Sequence, residues 1–212
     1  MRTVAILPVK TFGRAKQRLT GGFGDRPGLA AAMVADVLDA LAAVPELDEL
    51  IMVTAQAVSA DTDFLIVHDP VEAGQSAAAA RGIEAALERG AERVLLVPGD
   101  CPALDPREVD ELVAGAMSAP DVVIVPDRHG TGTNALLLAP PDAIAPSFGP
   151  GSRERHENAA EASGARWRLA EPRSLVLDVD TAEDLAALRV VLDSRTGGAA
   201  HTRGLLARLD RQ

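Results

Sequence analysis

Arg93-Val94-Leu95-Leu96-Val97-Pro98-Gly99-Asp100-Cys101-Pro102 is an apolar run of strand length, cut off by Pro and Gly, with a carboxylate immediately after it. A run with no polar residue to face water suits a buried strand in a sheet covered on both faces. The turn pair Pro98-Gly99 ends the strand, and Asp100 then stands at its carboxyl end. Similar short runs recur at residues 3–7, 49–54, 64–68, 122–125 and 135–138, with a last short one near 175–177. Segments of helical period separate them, which predicts an α/β architecture in which helices cover a mostly parallel sheet.

The helical segments carry their own signals. Across residues 27–44, Leu29, Met33, Val34, Val37, Leu38 and Leu41 recur at three- and four-residue steps, and Pro27 suits a first helical turn. Residues 75–89 are Ala-rich and stop at Gly90, a residue suited to a helix C-terminus. Residues 106–117 follow Asp105, and residues 181–192 follow Asp180 or begin on Thr181, both good N-caps. At 212 residues the chain is expected to hold one domain, residues 1–192. Residues 193–212, with Gly, Arg and weak periodicity, read as a frayed tail or one added helix.

Composition narrows the function. The formal net charge of −10 excludes a general polyanion binder, and 2% aromatic residues leave no stacking platform for single-stranded nucleic acid. No apolar stretch reaches the length of a membrane span, and the N-terminal run lacks the form of an export signal. One cysteine, Cys101, cannot form an internal disulfide, so a cytoplasmic location is expected. The average charge hides an asymmetry, because residues 1–26 carry +5 and the remaining 186 carry −15. Only two lysines occur against 19 arginines, and both, Lys10 and Lys16, follow the first strand in Leu7-Pro8-Val9-Lys10-Thr11-Phe12-Gly13-Arg14-Ala15-Lys16-Gln17-Arg18-Leu19.

In open α/β sheets ligands bind outside the carboxyl ends of the strands. Four groups of residues fall there. Lys10, Lys16 and Arg18 could neutralise charge building on a leaving pyrophosphate; the plainer reading is a solvated basic surface. Asp100 could hold Mg²⁺ against a phosphate, or merely serve a turn. Asp178 and Asp180 project to one side if a strand persists through them, although Asp180 could equally cap the next helix. Gly130-Thr131-Gly132-Thr133-Asn134 and Phe148-Gly149-Pro150-Gly151-Ser152 could present backbone N–H groups to an anion, with Ser152 as the N-cap of a helix. The alternative there is an ordinary Gly/Pro connector. Gly74, Gln75 and Ser76 open a helix after the third strand and could meet a base or ribose, while His129 and His156 read as surface or supporting residues. Neither the Walker A motif nor the dinucleotide glycine fingerprint is present.

These motifs, in this order over about residues 3–190, resemble the guanylyltransferases of coenzyme F-420 biosynthesis, within the nucleotide-diphospho-sugar transferase superfamily. Cousins that act on sugar phosphates or on the molybdenum cofactor begin with a glycine-rich loop ending in Arg and Met, where Pro8-Val9-Lys10 stands here. The resemblance implies a single-domain, Rossmann-like three-layer α/β/α fold of GT-A type with a mostly parallel mixed sheet. It implies transfer of GMP from GTP to phosphoenolpyruvate, with 2-phospholactate or 3-phosphoglycerate as alternative acceptors. Sugar-phosphate or molybdenum-cofactor nucleotidyl transfer, or a nucleotide-binding module without catalysis, are the competing readings. Carried over position by position, Thr133, Gly149 and Ser152 match the family's acceptor positions and Asp100 with Asp178 its Mg²⁺ ligands. Pro8, Lys10, Lys16, Gly74, Gln75, Ser76 and Asp100 are expected at the nucleotide. Asp100, Asp178 and Asp180 are expected at Mg²⁺, and Lys16, Lys10, Arg18 and Asp100 in catalysis. The product would pass to the next biosynthetic enzyme, with no nucleic-acid or membrane partner.

Overall fold

A computed structural model of the chain describes residues 1–14, 16, 25–57, 62–115 and 119–211. Seven strands, β1 (Thr3–Val9), β2 (Glu49–Thr54), β3 (Leu65–His68), β4 (Arg93–Leu96), β5 (Asp121–Pro126), β6 (Thr133–Ala139) and β7 (Arg166–Leu169), form one sheet in the order β3-β2-β1-β4-β6-β5-β7. All neighbours run parallel except β6, which is antiparallel to both β4 and β5. The α/β fold with a mostly parallel mixed sheet is therefore as expected. Among the described residues no helix is long and apolar enough to cross a membrane.

Alternation along the central strands sorts the core into two layers. Ala5, Leu7, Leu95 and Val97 face α1 (Arg26–Ala42) and α3 (Pro106–Ala114), where Val37, Leu41, Val109 and Val113 receive them. Val4, Ile6, Val94 and Leu96 face the other way, onto Ala79, Ile83 and Ala86 of α2 (Gln75–Glu88) and Ala160 of α4 (Ser152–Ser163). Each strand thus buries both sides, which is why its sequence shows no polar alternation. Helix α2 lies so close to β1 that a Cβ at Gly82 would collide with the Ile6 side chain.

Several boundaries differ from expectation for identifiable reasons. Strand β1 runs through Pro8 to Val9, because pairing with β4 ends at Ile6 while pairing with β2 continues to Val9. A proline without N–H is tolerated where a strand has outrun one neighbour. Residues 175–177 form no strand; they are irregular, with Leu175 buried, and the last strand is β7, whose Arg-Trp-Arg-Leu sequence alternates exposed and half-buried residues at the sheet edge. The helix after Gly151 begins at Ser152, so Gly151, with φ of 69°, is the N-cap and Ser152 is not. Beyond α5 (Ala182–Asp193), α6 (Ala200–Leu209) packs Leu205 and Leu206 into a third cluster with Leu29 and Met33 of α1 and Leu188 of α5. Asp36 of α1 accepts the His201 and Thr202 backbone N–H groups at 2.9 and 2.8 Å, anchoring the start of α6.

The reversed strand matters for the site. Leu96 pairs with Leu136 and Val94 with Leu138, so the amino end of β6, Thr133, lies beside the carboxyl end of β4. Asp100 and Thr133 therefore reach the same edge of the sheet from chain segments running in opposite directions.

Candidate active site

A cavity of about 980 Å³ opens along that edge, lined from β1 through Pro8, Lys10 and Lys16 and from the β4 loop through Asp100. Gly74 and Gln75 line it from the start of α2, and Thr133, Gly149, Ser152, Asp178 and Asp180 from the far half of the chain. Its size is at the upper end for small-molecule sites, which suits two substrates side by side. Ser76 is placed differently: its Oγ accepts the Phe148 N–H at 2.8 Å and so tethers α2 to the loop that carries Gly149. Arg18 lies outside the described residues.

At one end Lys16 sits among carboxylates. Its Nζ donates to Asp100 Oδ2 at 2.6 Å and to Asp180 Oδ1 at 3.2 Å, and its side chain is 7% exposed. Burial alone would lower the lysine pKa, but the Asp100 and Asp180 carboxylates outweigh it and hold the ammonium above its ordinary value. The backbone at Lys16 is left-handed, with φ of 56°. Asp178 is tied in from the side, for its Oδ1 accepts from Asn134 Nδ2 at 3.3 Å and the next residue, Val179, donates its N–H to the Asp100 carbonyl at 3.0 Å. Burial and then the charge of Asp100 push the Asp178 carboxyl above its usual range, against hydrogen bonds from its own backbone and Asn134.

The double reading of Asp180 is resolved by its neighbours. Thr181 is the N-cap of α5, and it forms a reciprocal capping box with Asp184. Asp184 Oδ2 also accepts the Asp180 N–H at 3.1 Å, while Arg128 pairs with the other Asp184 oxygen at 2.7 Å. The Asp180 carboxylate is left over from capping and points to Lys16. Asp178 and Asp180 thus reach the site from an irregular segment instead of a strand end. Among the described residues no three carboxylates, histidines or cysteines are gathered as a ready cation cage, but the donors suit a dication shared with a substrate phosphate: Asp100 Oδ1 is buried without any hydrogen-bond partner, and the Asp100 charge reaches Asp178. Cys101, fully buried, has its thiol pushed well up by burial and then by the Asp100 charge, so it offers no nucleophile.

At the other end, residues 147–151 are pinned from several directions. The Arg155 guanidinium donates to Ser147 Oγ and the carbonyls of Ser147, Phe148 and Pro150 at 2.6–3.3 Å. Below them the Ser152 side chain opens α4, 1% exposed, with its Oγ lacking a partner. Such an orphaned hydroxyl at a helix N-terminus suits an anionic oxygen. His156, read as a surface or a supporting residue, is the latter: it is fully buried, edge-on to the Phe148 ring at 5.4 Å. Its placement depends on Thr133 and Ser147, 23 and nine residues upstream. Further polar residues of the cavity wall were given no side-chain role by the sequence reading, among them Asp69, Asp127, Asn134, and Glu72, which accepts from the Thr11 N–H and Oγ at 2.7 and 2.8 Å.

The comparisons agree with this geometry. The family model described as guanylyl transferase CofC like matches residues 3–209. The phosphoenolpyruvate guanylyltransferase of Conexibacter woesei is 50% identical over 216 residues, covering 99% of this chain and 97% of that protein. The enzyme of the same name from Streptomyces coelicolor is 38% identical, covering 94% and 96%. Among solved structures, a candidate nucleotide-diphospho-sugar transferase from Desulfovibrio desulfuricans superposes with a TM-score of 0.76 at 18% identity, over 100% of this chain and 96% of that one. A CMP:2-keto-3-deoxy-manno-octonic acid synthetase complexed with CTP gives 0.61 at 15% identity, over 92% and 99%. These two likenesses establish the nucleotidyltransferase fold. With its length matched almost throughout and half its residues shared with one relative, the chain belongs to the CofC-like guanylyl transferase family.

Proposed function

We propose that this protein transfers GMP from GTP to phosphoenolpyruvate, giving enolpyruvoyl-2-diphospho-5′-guanosine and pyrophosphate. The observation that carries the reading is one cavity lined both by the lysine–aspartate cluster of Lys16, Asp100, Asp178 and Asp180 and by the Thr133, Gly149 and Ser152 anion cradle. The names of the Conexibacter and Streptomyces relatives favour phosphoenolpyruvate as acceptor.

An acceptor phosphate oxygen attacks the α-phosphorus of GTP as the bond to the β-phosphate oxygen breaks, and the electron pair leaves with pyrophosphate. The attacking oxygen is already ionised, so alignment and charge stabilisation are the protein's tasks. Thr133, Gly149 and Ser152 seat the acceptor's anionic groups. Pro8, Lys10, Gly74 and Gln75 line the nucleotide's side, and Ser76 acts there by holding the Gly149 loop. Lys16 and Lys10 neutralise charge on the pyrophosphate, a role proposed for Arg18 from its position in the sequence alone. Asp100 and Asp178, with Asp180 beside them, would hold Mg²⁺, which supplies neutralisation of the phosphate charge when bound. In this reading the enzyme works in the cytoplasm and passes its product to the next biosynthetic enzyme.

The test is pyrophosphate release by purified protein with Mg²⁺, each nucleoside triphosphate in turn, and phosphoenolpyruvate, 2-phospholactate, 3-phosphoglycerate or a sugar 1-phosphate. GTP with phosphoenolpyruvate should give the highest kcat/KM. Preference for a sugar phosphate, or nucleotide binding with no turnover on the whole panel, would overturn the reading.

A further inference from the structure

Between the two walls of the acceptor cradle lies a histidine whose hydrogen bonds have only one consistent arrangement. His156 Nε2 faces the Ser147 backbone N–H at 2.8 Å, and an amide N–H can only donate. Nε2 must therefore present its lone pair. His156 Nδ1 is 2.9 Å from Thr133 Oγ1. Burial, then the charge of Arg155, lower the imidazole pKa from 6.5 to about 4, so the ring is neutral at neutral pH and its single proton resides on Nδ1. That proton is donated to Thr133 Oγ1. The threonine hydroxyl, having accepted, has its own hydrogen to give, and it lines the cavity while being 8% exposed.

We infer that His156 is a positioning residue for the acceptor site: as the Nδ1–H tautomer it joins Thr133 on β6 to the 147–151 loop and turns the Thr133 hydroxyl hydrogen toward the bound acid. The role rests on the proposed function only in identifying the anion as the acceptor substrate. The surroundings support it. Phe148 packs against the imidazole edge, Arg155 and Ser76 fix the loop without touching Thr133, and Arg153 reaches the Thr131 and Gly130 carbonyls, so among these contacts the ring is the one that meets the Thr133 hydroxyl itself. A threonine hydroxyl free to rotate could offer an anion its oxygen lone pairs. One already receiving a hydrogen bond from the imidazole is biased to act as donor, the polarity that a phosphate or carboxylate oxygen needs.

Two measurements test this. Long-range ¹H–¹⁵N NMR of protein labelled in histidine reads which ring nitrogen carries the proton, whatever the enzyme's activity. A neutral ring protonated on Nδ1 at neutral pH is expected, and a proton on Nε2 overturns the assignment even if the guanylyl-transfer reading stands. For the kinetics, His156→Phe keeps a ring against Phe148 and removes both hydrogen bonds. It should raise KM for phosphoenolpyruvate roughly ten- to hundredfold, the effect of losing one well-aligned bond to a charged group, while KM for GTP stays within about twofold. His156→Asn, which can still donate to Thr133, should recover part of the loss. Adding His156→Phe to Thr133→Val should cost almost nothing more. Equal rises in both KM values, or full additivity with Thr133→Val, would show a merely structural role and overturn the proposal. Absence of turnover by the wild-type protein on every acceptor would instead sink the functional reading, with the NMR arm still deciding the tautomer.

Discussion

The Lys16 ammonium is 2.6 Å from the Asp100 carboxylate, on the oxygen opposite the one that has no partner. One aspartate thus meets the site's buried lysine through Oδ2 and keeps Oδ1 available for a second cation. Replacing Lys16 by Ala should lower kcat by roughly thirtyfold to a thousandfold, equivalent to about 2–4 kcal/mol of transition-state stabilisation. Without nucleotide, Lys16→Met protein should also bind Mn²⁺ more tightly than wild type, since the ammonium no longer competes for Asp100 and Asp180. Stopped-flow pyrophosphate release and calorimetric titration with Mn²⁺ check the two halves; a rate within about twofold of wild type would return Lys16 to the role of a surface charge.

Asp100→Asn keeps the side chain's shape and removes its charge. Turnover should fall on the order of a thousandfold, since the residue is asked for several kcal/mol of charge stabilisation. Mn²⁺ binding should weaken in parallel. The fold should survive, with melting within about 4 °C of wild type, because Asn keeps an oxygen for the Lys16 ammonium and Asp180 stays paired with it. Loss of activity with unchanged metal binding would take Asp100 out of the cation site.

His156 also marks the protein's acid stability. Its ring takes up a proton at 6.5 when exposed but only near 4 when folded, so between those values the unfolded chain binds the extra proton. The sign is that of a depressed base: stability is full above about pH 6.5 and declines as pH falls toward 4, by on the order of 3 kcal/mol. Urea unfolding across that range should show the decline in wild type and a shallower slope in His156→Gln. Parallel slopes would contradict a neutral buried ring.

At Gly82 a side chain has nowhere to go. Gly82→Ala should destabilise the protein by about 1–3 kcal/mol, because the added methyl group meets Ile6 in a packed layer and α2 must lift from β1. Since Gln75 and the Gly149 loop are attached to the start of α2, KM for GTP should rise as well. Thermal unfolding alongside initial rates measures both.

The readable parts of the sequence were those set by local chemistry. The central strands announce themselves because strands buried on both faces must be apolar throughout, and Asp100 is visible as the first polar residue beyond such a run; the half-buried edge strand β3 shows through its β-branched Ile66 and Val67. Strand β7 is invisible by that signal, since at the sheet edge Arg166 and Arg168 face outward and only Trp167 and Leu169 are half-buried. Leu175-Val176-Leu177 gives the opposite error: it is apolar enough for a strand but spends its backbone elsewhere, with the Leu175 carbonyl accepting from Asn134. Whether Asp180 caps or faces the site depended on which neighbour took the cap, and the Thr181–Asp184 pair decides it. His156 could not be placed from its surroundings in sequence, because the groups that hold it come from β6 and the 147–151 loop.

The reversal of β6 has a further consequence for how this enzyme can change. Strands β1 to β4 and their loops bring the lysines and Asp100, whereas β6, α4 and the loop between them bring Thr133, Gly149 and Ser152. In the proposed reading the nucleotide wall comes mostly from the first half of the chain and the acceptor wall from the second, joined at β4 against β6 and, closer to the site, by Asp180 on Lys16, Val179 on Asp100 and Phe148 on Ser76. Exchanging residues 127–156 for the equivalent segment of a relative with another acceptor should therefore alter the acid that is chosen and leave GTP binding largely unchanged. On the proposed reading, a new acceptor then requires rewriting one contiguous segment of about thirty residues, with the lysines and aspartates outside it retained.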